Sequence, residues 1–161
     1  MDLPFSIRPP AAYEMAAVAS LFRDYEAALG VDLAYQGFRA EVRSLPGLYA
    51  PPDGALLIAI CPPANPLGCV AVRKLPEAGA CEMKRLYVAP STRGMGLGRA
   101  LAVAAIDAAK RAGYRTMCLD TLPSMVSAHG LYRSLGFEAT PAYYNTPVPD
   151  TLFMRKTLVR P

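Results

Sequence analysis

The chain has 161 residues, with 17 Lys and Arg, 13 Asp and Glu and one His for a formal charge of +4, and that length holds one domain over residues 1–161 without room for a second core. Hydrophobic residues make up 53% and charged residues 19%, which excludes a disordered chain. The charge is uneven: residues 73–115 carry nine basic and three acidic side chains, so the remainder is net acidic. No dense Lys/Arg run is interleaved with aromatics, so this basic middle predicts a bound anion of small-molecule size and not a nucleic acid.

The longest uncharged stretch, residues 55–72, is long enough to span a bilayer but is broken by Pro62, Pro63, Asn65, Pro66 and Gly68. Two strands and a turn are expected there, and no membrane association. The first ten residues show no basic residue ahead of an apolar run and no small-residue cleavage site, so no signal peptide is expected and the default location is cytoplasmic. Cys61, Cys69, Cys81 and Cys118 have no close CxxC spacing and a single histidine for company; buried free thiols and no metal site are expected.

In chain order, a short strand is expected at residues 5–8, stopped by Pro9 and Pro10. Met15, Val18, Ala19, Phe22 and Leu29 then recur near helical spacing, with Gly30 placed as a C-terminal cap. A second helix carries Phe38, Val42 and Leu45 on one face before Pro46. Residues 55–60, 68–75 and 80–88 read as a meander joined by Pro/Gly-bearing turns. Leu97, Leu101, Ala104, Ala105, Ala108 and Ala112 form an apolar helix stripe opposite Asp107, Lys110 and Arg111, closed by Gly113. A fifth strand at 115–121, a helix at 125–135 ended by Gly136, and strands near 137–143 and 152–158 follow. The order β-α-α-β-β-β-α-β-α-β-β predicts a mixed α/β sheet of the α+β kind, not a doubly wound one.

Between the fourth expected strand and the long helix lies Arg93-Gly94-Met95-Gly96-Leu97-Gly98-Arg99. Glycines at alternate positions let a ligand approach the backbone, and the helix that follows aims unpaired N–H groups and its positive dipole end at the loop. Phosphate is the natural occupant, bracketed by Arg93 and Arg99. A Walker A loop would need Gly-Lys-Ser/Thr where this chain has Gly98-Arg99-Ala100, and a dinucleotide fingerprint starting at Gly94 would need Gly or Ala at Arg99.

The same segment, preceded by Leu86-Tyr87-Val88-Ala89-Pro90, resembles the coenzyme A loop of the GNAT N-acetyltransferases, whose pattern is Arg/Gln-x-x-Gly-x-Gly/Ala. Residues 128–137, from Ala128 through Leu131-Tyr132 to Gly136-Phe137, are similar to that family's helix-ending Ala-x-x-Leu-Tyr-x-x-x-Gly-Phe. The resemblance is sharpest over residues 80–137. It implies a GNAT fold over nearly the whole chain, with acetyl-CoA bound by Leu86, Tyr87, Val88, Arg93, Gly94, Met95, Gly96, Leu97, Gly98 and Arg99. One departure is Met125, where relatives often carry Asn; a side-chain contact to the cofactor is in question there.

Acetyl transfer to an amine needs a base, because a lysine-like ammonium has a pKa of about 10.4, together with fixed donors for the developing oxyanion and an acid for the departing thiolate. The resemblance assigns the donors to backbone N–H groups of Leu86, Tyr87 and Val88, on a strand splayed from its neighbour. Tyr132 matches the family's helix tyrosine and is the expected acid, although its spacing with Ala128 and Leu135 also suits a core aromatic. Glu82 is the expected base, on the same strand face as Lys84, with a plain ion pair as the alternative. His129 reads as a partly exposed helix residue, and Asp120 as a weaker base better suited to capping the turn that follows it. The link from Gly30 to Gly37 and the Tyr143-Tyr144-Asn145 region are expected to wall the acceptor pocket, with Tyr35, Tyr143 and Tyr144 making that wall amphipathic. The expected activity is direct transfer of the acetyl group of acetyl-CoA, without a metal, to a primary amine of a small molecule or amino-acid-like compound. The alternatives are a protein N-terminus or lysine as acceptor, an acyl-CoA sensor without turnover, and a nucleotide-binding module. A homodimer is left open.

Overall fold

Alternation along the strands decides which face of the sheet each residue serves. In the computed structural model, which describes residues 5–159, the elements are β1 (Ser6–Arg8), α1 (Met15–Leu29), α2 (Phe38–Arg43), β2 (Ala55–Cys61), β3 (Asn65–Lys74), β4 (Ala80–Val88), α3 (Leu97–Arg111), β5 (Thr116–Thr121), α4 (Val126–Ser134), β6 (Glu138–Ala139) and β7 (Leu152–Thr157), with 3-10 turns between some of them. The seven strands form one sheet in the order β1-β2-β3-β4-β5-β7-β6. Only the β4–β5 pair is parallel; the others are antiparallel. Val70, Val72, Cys81, Met83, Met117 and Leu119 turn to one face and bury against Leu97, Leu101, Ala105 and Tyr132 of α3 and α4. Ile58, Ile60, Cys69 and Ala71 turn to the other and bury against Val18 and Phe22 of α1 and Phe38 and Val42 of α2. The mixed sheet with helices is the architecture expected from the element order.

Most expected elements fall within a residue or two of their observed bounds. Gly30, with φ +66°, closes α1 as a left-handed cap. Three differences have local causes. The second helix stops at Arg43, short of Leu45, where the Ser44 hydroxyl donates to the Ala40 carbonyl and competes with the helix ladder. Asn65 and Pro66 belong to β3 and not to a turn; Pro66 sits opposite Ile60, where the register shifts, a place where a strand tolerates the missing N–H. The strand expected near 137–143 is only Glu138–Ala139. Thr140 N–H still donates to Phe153 O, but Pro141 has no N–H to continue the ladder. The chain then leaves the sheet and lays Tyr143 and Tyr144 edge-on against Phe153, with ring centroids 5.1 and 5.2 Å away.

Among the described residues no helix is long and apolar enough to cross a membrane. No three His, Cys, Asp or Glu come together there as metal ligands. The four cysteines are free thiols: Cys69, Cys81 and Cys118 are buried, and Cys61 is half-buried.

Gly68 of β3 is the residue on which the close approach of β3 to β4 depends. A Cβ there would lie 2.5 Å from the Tyr87 carbonyl oxygen and 3.0 Å from Leu101, and a backbone oxygen in a ladder has little room to give. Gly68→Ala should lower unfolding stability by about 1–3 kcal/mol, read as a fall in urea midpoint at unchanged m-value. Equal midpoints for the two proteins would show that the strands separate at no cost.

Candidate active site

The β4–β5 ladder is only three pairs long, Ala80 with Thr116, Cys81 with Met117 and Glu82 with Cys118. Beyond Glu82 the two strands part. Four residues before its end β4 also loses register with β3: Cys69 pairs with Tyr87 and Ala71 with Lys84, so Arg85 and Leu86 together face Val70. This is a β-bulge, and Arg85 takes a φ of +61° to make it. Leu86 therefore lies in neither ladder. Tyr87 and Val88 pair with β3 alone, leaving their other side toward the opening.

A groove of about 460 Å³ runs along that opening, lined by Tyr25 and Leu29 of α1, Leu86–Val88, Arg93, Gly98, and the start of α4 from Met125 to Ala128. At its outer end the loop before α3 has Gly94 and Gly96 at φ +82° and +79°, and a Cβ built on either meets nothing within 4 Å. The loop is thus an open cradle of backbone amides at a helix start, which fits a pyrophosphate. Met95 is half-exposed and Leu97 anchors the helix start in the core. The two arginines do not flank the cradle symmetrically. Arg93 folds back, its Nε donating to Val88 O at 3.2 Å and its guanidinium 5.9 Å from the Tyr87 ring centroid. Arg99 reaches across to α4 and donates to Ser134 Oγ at 2.9 Å.

At the inner end the groove narrows to a cavity of only about 10 Å³ among Tyr25, Met83, Lys84, Arg85, Leu86, Asp120, Met125 and Tyr132. Tyr132 is buried with its ring edge-on to Phe137 at 5.9 Å, and burial pushes its phenol well above the ordinary value. Tyr132 is thus a core aromatic that also lines the small cavity. Burial also raises the Tyr25 phenol, to about 12. Met125 occupies the N-cap of α4, its sulfur accepting from Thr121 Oγ1 at 3.7 Å. His129 is half-buried, with Nε2 2.9 Å from Leu122 O, and lines neither cavity.

Beside this small cavity lies a layer of charges beneath a tyrosine roof. Glu82 is fully buried. Its Oε1 accepts from Arg73 Nε at 2.8 Å, its Oε2 accepts from the Tyr143 hydroxyl at 2.5 Å, and Lys84 Nζ stands 3.7 Å away. Burial works to raise its pKa, but Lys84 and Arg73, with the Tyr143 hydrogen bond, hold it below the usual carboxylate range. Glu82 and Lys84 do share a face, and the ion pair among them is internal, not a surface one. Asp120 does not cap the turn after β5; it accepts the Tyr144 hydroxyl. Gln36 Nε2 donates to the hydroxyls of Tyr35 at 3.2 Å and Tyr144 at 3.5 Å. Behind this layer Glu41 of α2 takes Arg85 bidentately at 2.8 and 3.0 Å, and the guanidinium lies 5.0 Å from the Phe38 ring centroid. Gln36 falls in the Gly30–Gly37 link expected to wall the acceptor pocket, whereas Arg73 and Glu41 were not among the expected site residues. For Arg73 the available signal was alternation, since it faces Glu82 directly across the β3–β4 ladder; Glu41 is brought in by tertiary packing alone. The largest cavity, about 590 Å³, lies at the β1–β2 edge beside α3 and contains none of these residues.

A family model described as the Acetyltransferase (GNAT) family matches residues 18–137. An N-acetyltransferase of Schizosaccharomyces pombe, itself uncharacterized, is 41% identical over 135 residues, 84% of this chain and 83% of that one. The N-acetylaspartate synthetase of Rattus norvegicus is 34% identical over 87 residues, 54% of this chain and 29% of that one. The crystal structure of an acetyltransferase of the GNAT family from Staphylococcus aureus covers 96% of this chain and 99% of its own at a TM-score of 0.80 and 17% identity, a likeness of fold. The chain belongs to the GNAT acetyltransferase family and is an acetyl-CoA-dependent acyltransferase.

Gly96→Ala places a methyl group in the open cradle at a φ that L-residues adopt at a cost of about 1–2 kcal/mol. The folded variant should bind coenzyme A at least about tenfold more weakly by calorimetry, with a modest loss of melting temperature. Unchanged affinity would remove the loop from the binding site.

Proposed function

We propose that this acyltransferase moves the acetyl group of acetyl-CoA directly to the primary amine of a small molecule. The observation that carries this reading is the meeting point of the two halves of the site. The groove beside the glycine loop ends at Leu86, Met125 and Tyr132, and the polar layer of Lys84 and Asp120 begins at the same small cavity. The hydrogen bonds of Tyr143 to Glu82, of Tyr144 to Asp120 and of Gln36 to Tyr144 cover this polar layer, which supports a compact acceptor over a length of polypeptide. The name of the rat relative, a synthetase of an N-acetylated amino acid, agrees with a small acceptor.

Bound acetyl-CoA would supply the acetyl group as a thioester, with its diphosphate on the backbone of Gly94–Gly98 and its arm along Leu86–Val88. The unpaired backbone at Leu86 is the candidate donor to the thioester oxygen, a fixed dipole that needs no reorganisation as charge develops. The amine nitrogen, once deprotonated by the base, forms the new C–N bond as the C–S bond breaks; the thiolate takes a proton from Tyr132, the amide nitrogen gives up its extra proton to solvent, and the proton held by the base returns through solvent to the Tyr132 phenolate, for a net release of one proton per turnover. A phenol raised by burial stays protonated until the thiolate appears, and so suits that donation. The base role passes from Glu82 to Asp120. Both Glu82 oxygens are committed to Arg73 and Tyr143, whereas Asp120 lines the cavity and is covered only by a hydroxyl that can turn away. An acyl-cysteine route has no support in the thiols. Burial raises Cys69, Cys81 and Cys118 alike, Cys81 to about 12, and His129 is occupied at Leu122.

Incubation with acetyl-CoA and a pooled set of metabolite amines should release free coenzyme A and yield acetylated products by mass spectrometry. A bound acyl-CoA that stays intact across the whole panel would mark a sensor instead. Tyr132→Phe keeps the ring packing and should lower kcat about 10²-fold at nearly constant melting temperature; equal kcat would make the tyrosine purely structural.

Glu82 and Asp120 separate by pH. Asp120→Asn should lower the plateau of kcat/KM and move its remaining pH dependence toward the pKa of the free amine. Glu82→Gln should keep the shape of the profile and lose stability. Because the folded pKa of Glu82 is depressed, its contribution is complete above the unfolded value of about 4.3 and is lost as pH falls through the folded value. The stability gap to the Gln variant, measured by urea unfolding, should therefore shrink only in acid. A Glu82→Gln profile displaced toward the amine pKa would return the base role to Glu82.

A further inference from the structure

Lys84 is a buried cation that the transfer chemistry does not use. It is 8% exposed, lines the small cavity beside Leu86 and Tyr132, and among the described residues makes no hydrogen bond. Its nearest counter-charge, Glu82 Oε1 at 3.7 Å, is beyond hydrogen-bond reach and is already taken by Arg73, and Asp120 is a second, more distant one. Arg73 and Lys84 face Glu82 at close range, and the fourth charge that balances the cluster, Asp120, lies beyond ion-pair distance, so Lys84 is left without a directly bonded partner, a role that an anion would fill. Burial accordingly holds the Lys84 pKa below that of a free lysine.

The opposite wall carries the complement. Glu82 and Cys118 are the last paired residues of two parallel strands, so Lys84 and Asp120, each two residues further on, stand on the same face across the opening. Asp120 accepts only the Tyr144 hydroxyl. Beside that hydroxyl Gln36 Oε1 is buried and accepts from nothing among the described residues. One wall therefore offers a cation without a hydrogen-bond partner, and the other a carboxylate and an acceptor without a donor.

We propose that the acceptor is an amino acid, its carboxylate held by Lys84 and its ammonium lying against Asp120 with Gln36 Oε1 as a further acceptor. This rests on the transferase reading and adds the class of acceptor to it. The Tyr144 hydroxyl stands where the ammonium would bind, so it leaves Asp120 as the amino acid enters. Polyamines and lysine side chains lack the carboxylate and leave Lys84 without a hydrogen-bond partner.

The test compares matched acceptors on the full-length protein with saturating acetyl-CoA: a set of L-amino acids, their carboxamides and the corresponding decarboxylated amines. Wild type should favour the carboxylate form by about 30-fold or more in kcat/KM. Lys84→Met should abolish that preference, chiefly through KM for the amino acid, at unchanged affinity for acetyl-CoA, and Lys84→Arg should restore part of it. Transfer to amines or amides as fast as to amino acids overturns the inference and leaves the transferase reading intact. So does a Lys84→Met protein that loses all three acceptor classes in parallel. A wild type that binds acetyl-CoA and acetylates no amine of any kind overturns both. The wild-type comparison decides the matter even if no Lys84 variant folds.

Discussion

The ladder between β4 and β5 ends at Glu82 and Cys118, and every feature of the candidate site follows from backbone that the sheet leaves unpaired beyond that point. Parallel neighbours normally continue until a strand ends, because buried N–H and C=O groups without partners are costly. Here the continuation is blocked from the β4 side. Arg85 enters the left-handed region, two residues occupy the space of one opposite Val70, and the strand is re-aimed away from β5. A non-glycine residue at φ +61° needs outside help. Arg85 has it in the bidentate grip of Glu41 and the ring of Phe38, both on α2. That short helix is, in physical terms, a clamp on the bulge.

Burying so many charges on one face of a sheet is unfavourable unless each finds a partner. The acceptor face meets this condition almost everywhere: Arg85 with Glu41, Arg73 with Glu82, Tyr143 with the second Glu82 oxygen and Tyr144 with Asp120. The basic excess counted over residues 73–115 is thereby split between two uses. Arg93 and Arg99 go to the loop region, while Arg73, Lys84 and Arg85 sit under the tyrosines, where they set the local field. Lys84 is the member of the layer without a hydrogen bond, and it lies beside the point where the two halves of the site meet.

What the sequence made legible is what depends on local chemistry. The glycine loop needs positive φ at Gly94 and Gly96 and a helix directly behind it, so its residues stand together in the chain. The two core faces follow from period 2 in the strands and the longer helical period, and both were readable as patterns. The bulge at Arg85 was not readable, because no residue type announces it; its cause is a glutamate 44 positions earlier. Asp120 was expected to cap the next turn on local propensity, and a tyrosine from the β6–β7 connection claims it instead. Pro141 was visible, yet its effect of ending β6 after two residues and freeing Tyr143 and Tyr144 to roof the site could be seen only once β7 was in place.

The two halves of the site are also built from different material. The cradle that suits a diphosphate is made by backbone amides, open glycines and a helix start, and its shape depends on no side chain of the acceptor face. The acceptor space is made by side chains from α1, the link to α2, β3, β4, β5 and the β6–β7 connection, and its shape depends on nothing in the loop. Only Tyr25, Leu86 and Met125 line both cavities. On the proposed reading, substitution on the polar face would alter which amine is admitted while the cradle keeps its geometry, with the bulge at Arg85 standing between the two. That separation accounts for a chain in which the loop could be recognised from seven consecutive residues, whereas the acceptor had to be argued from charges that only the folded sheet brings face to face.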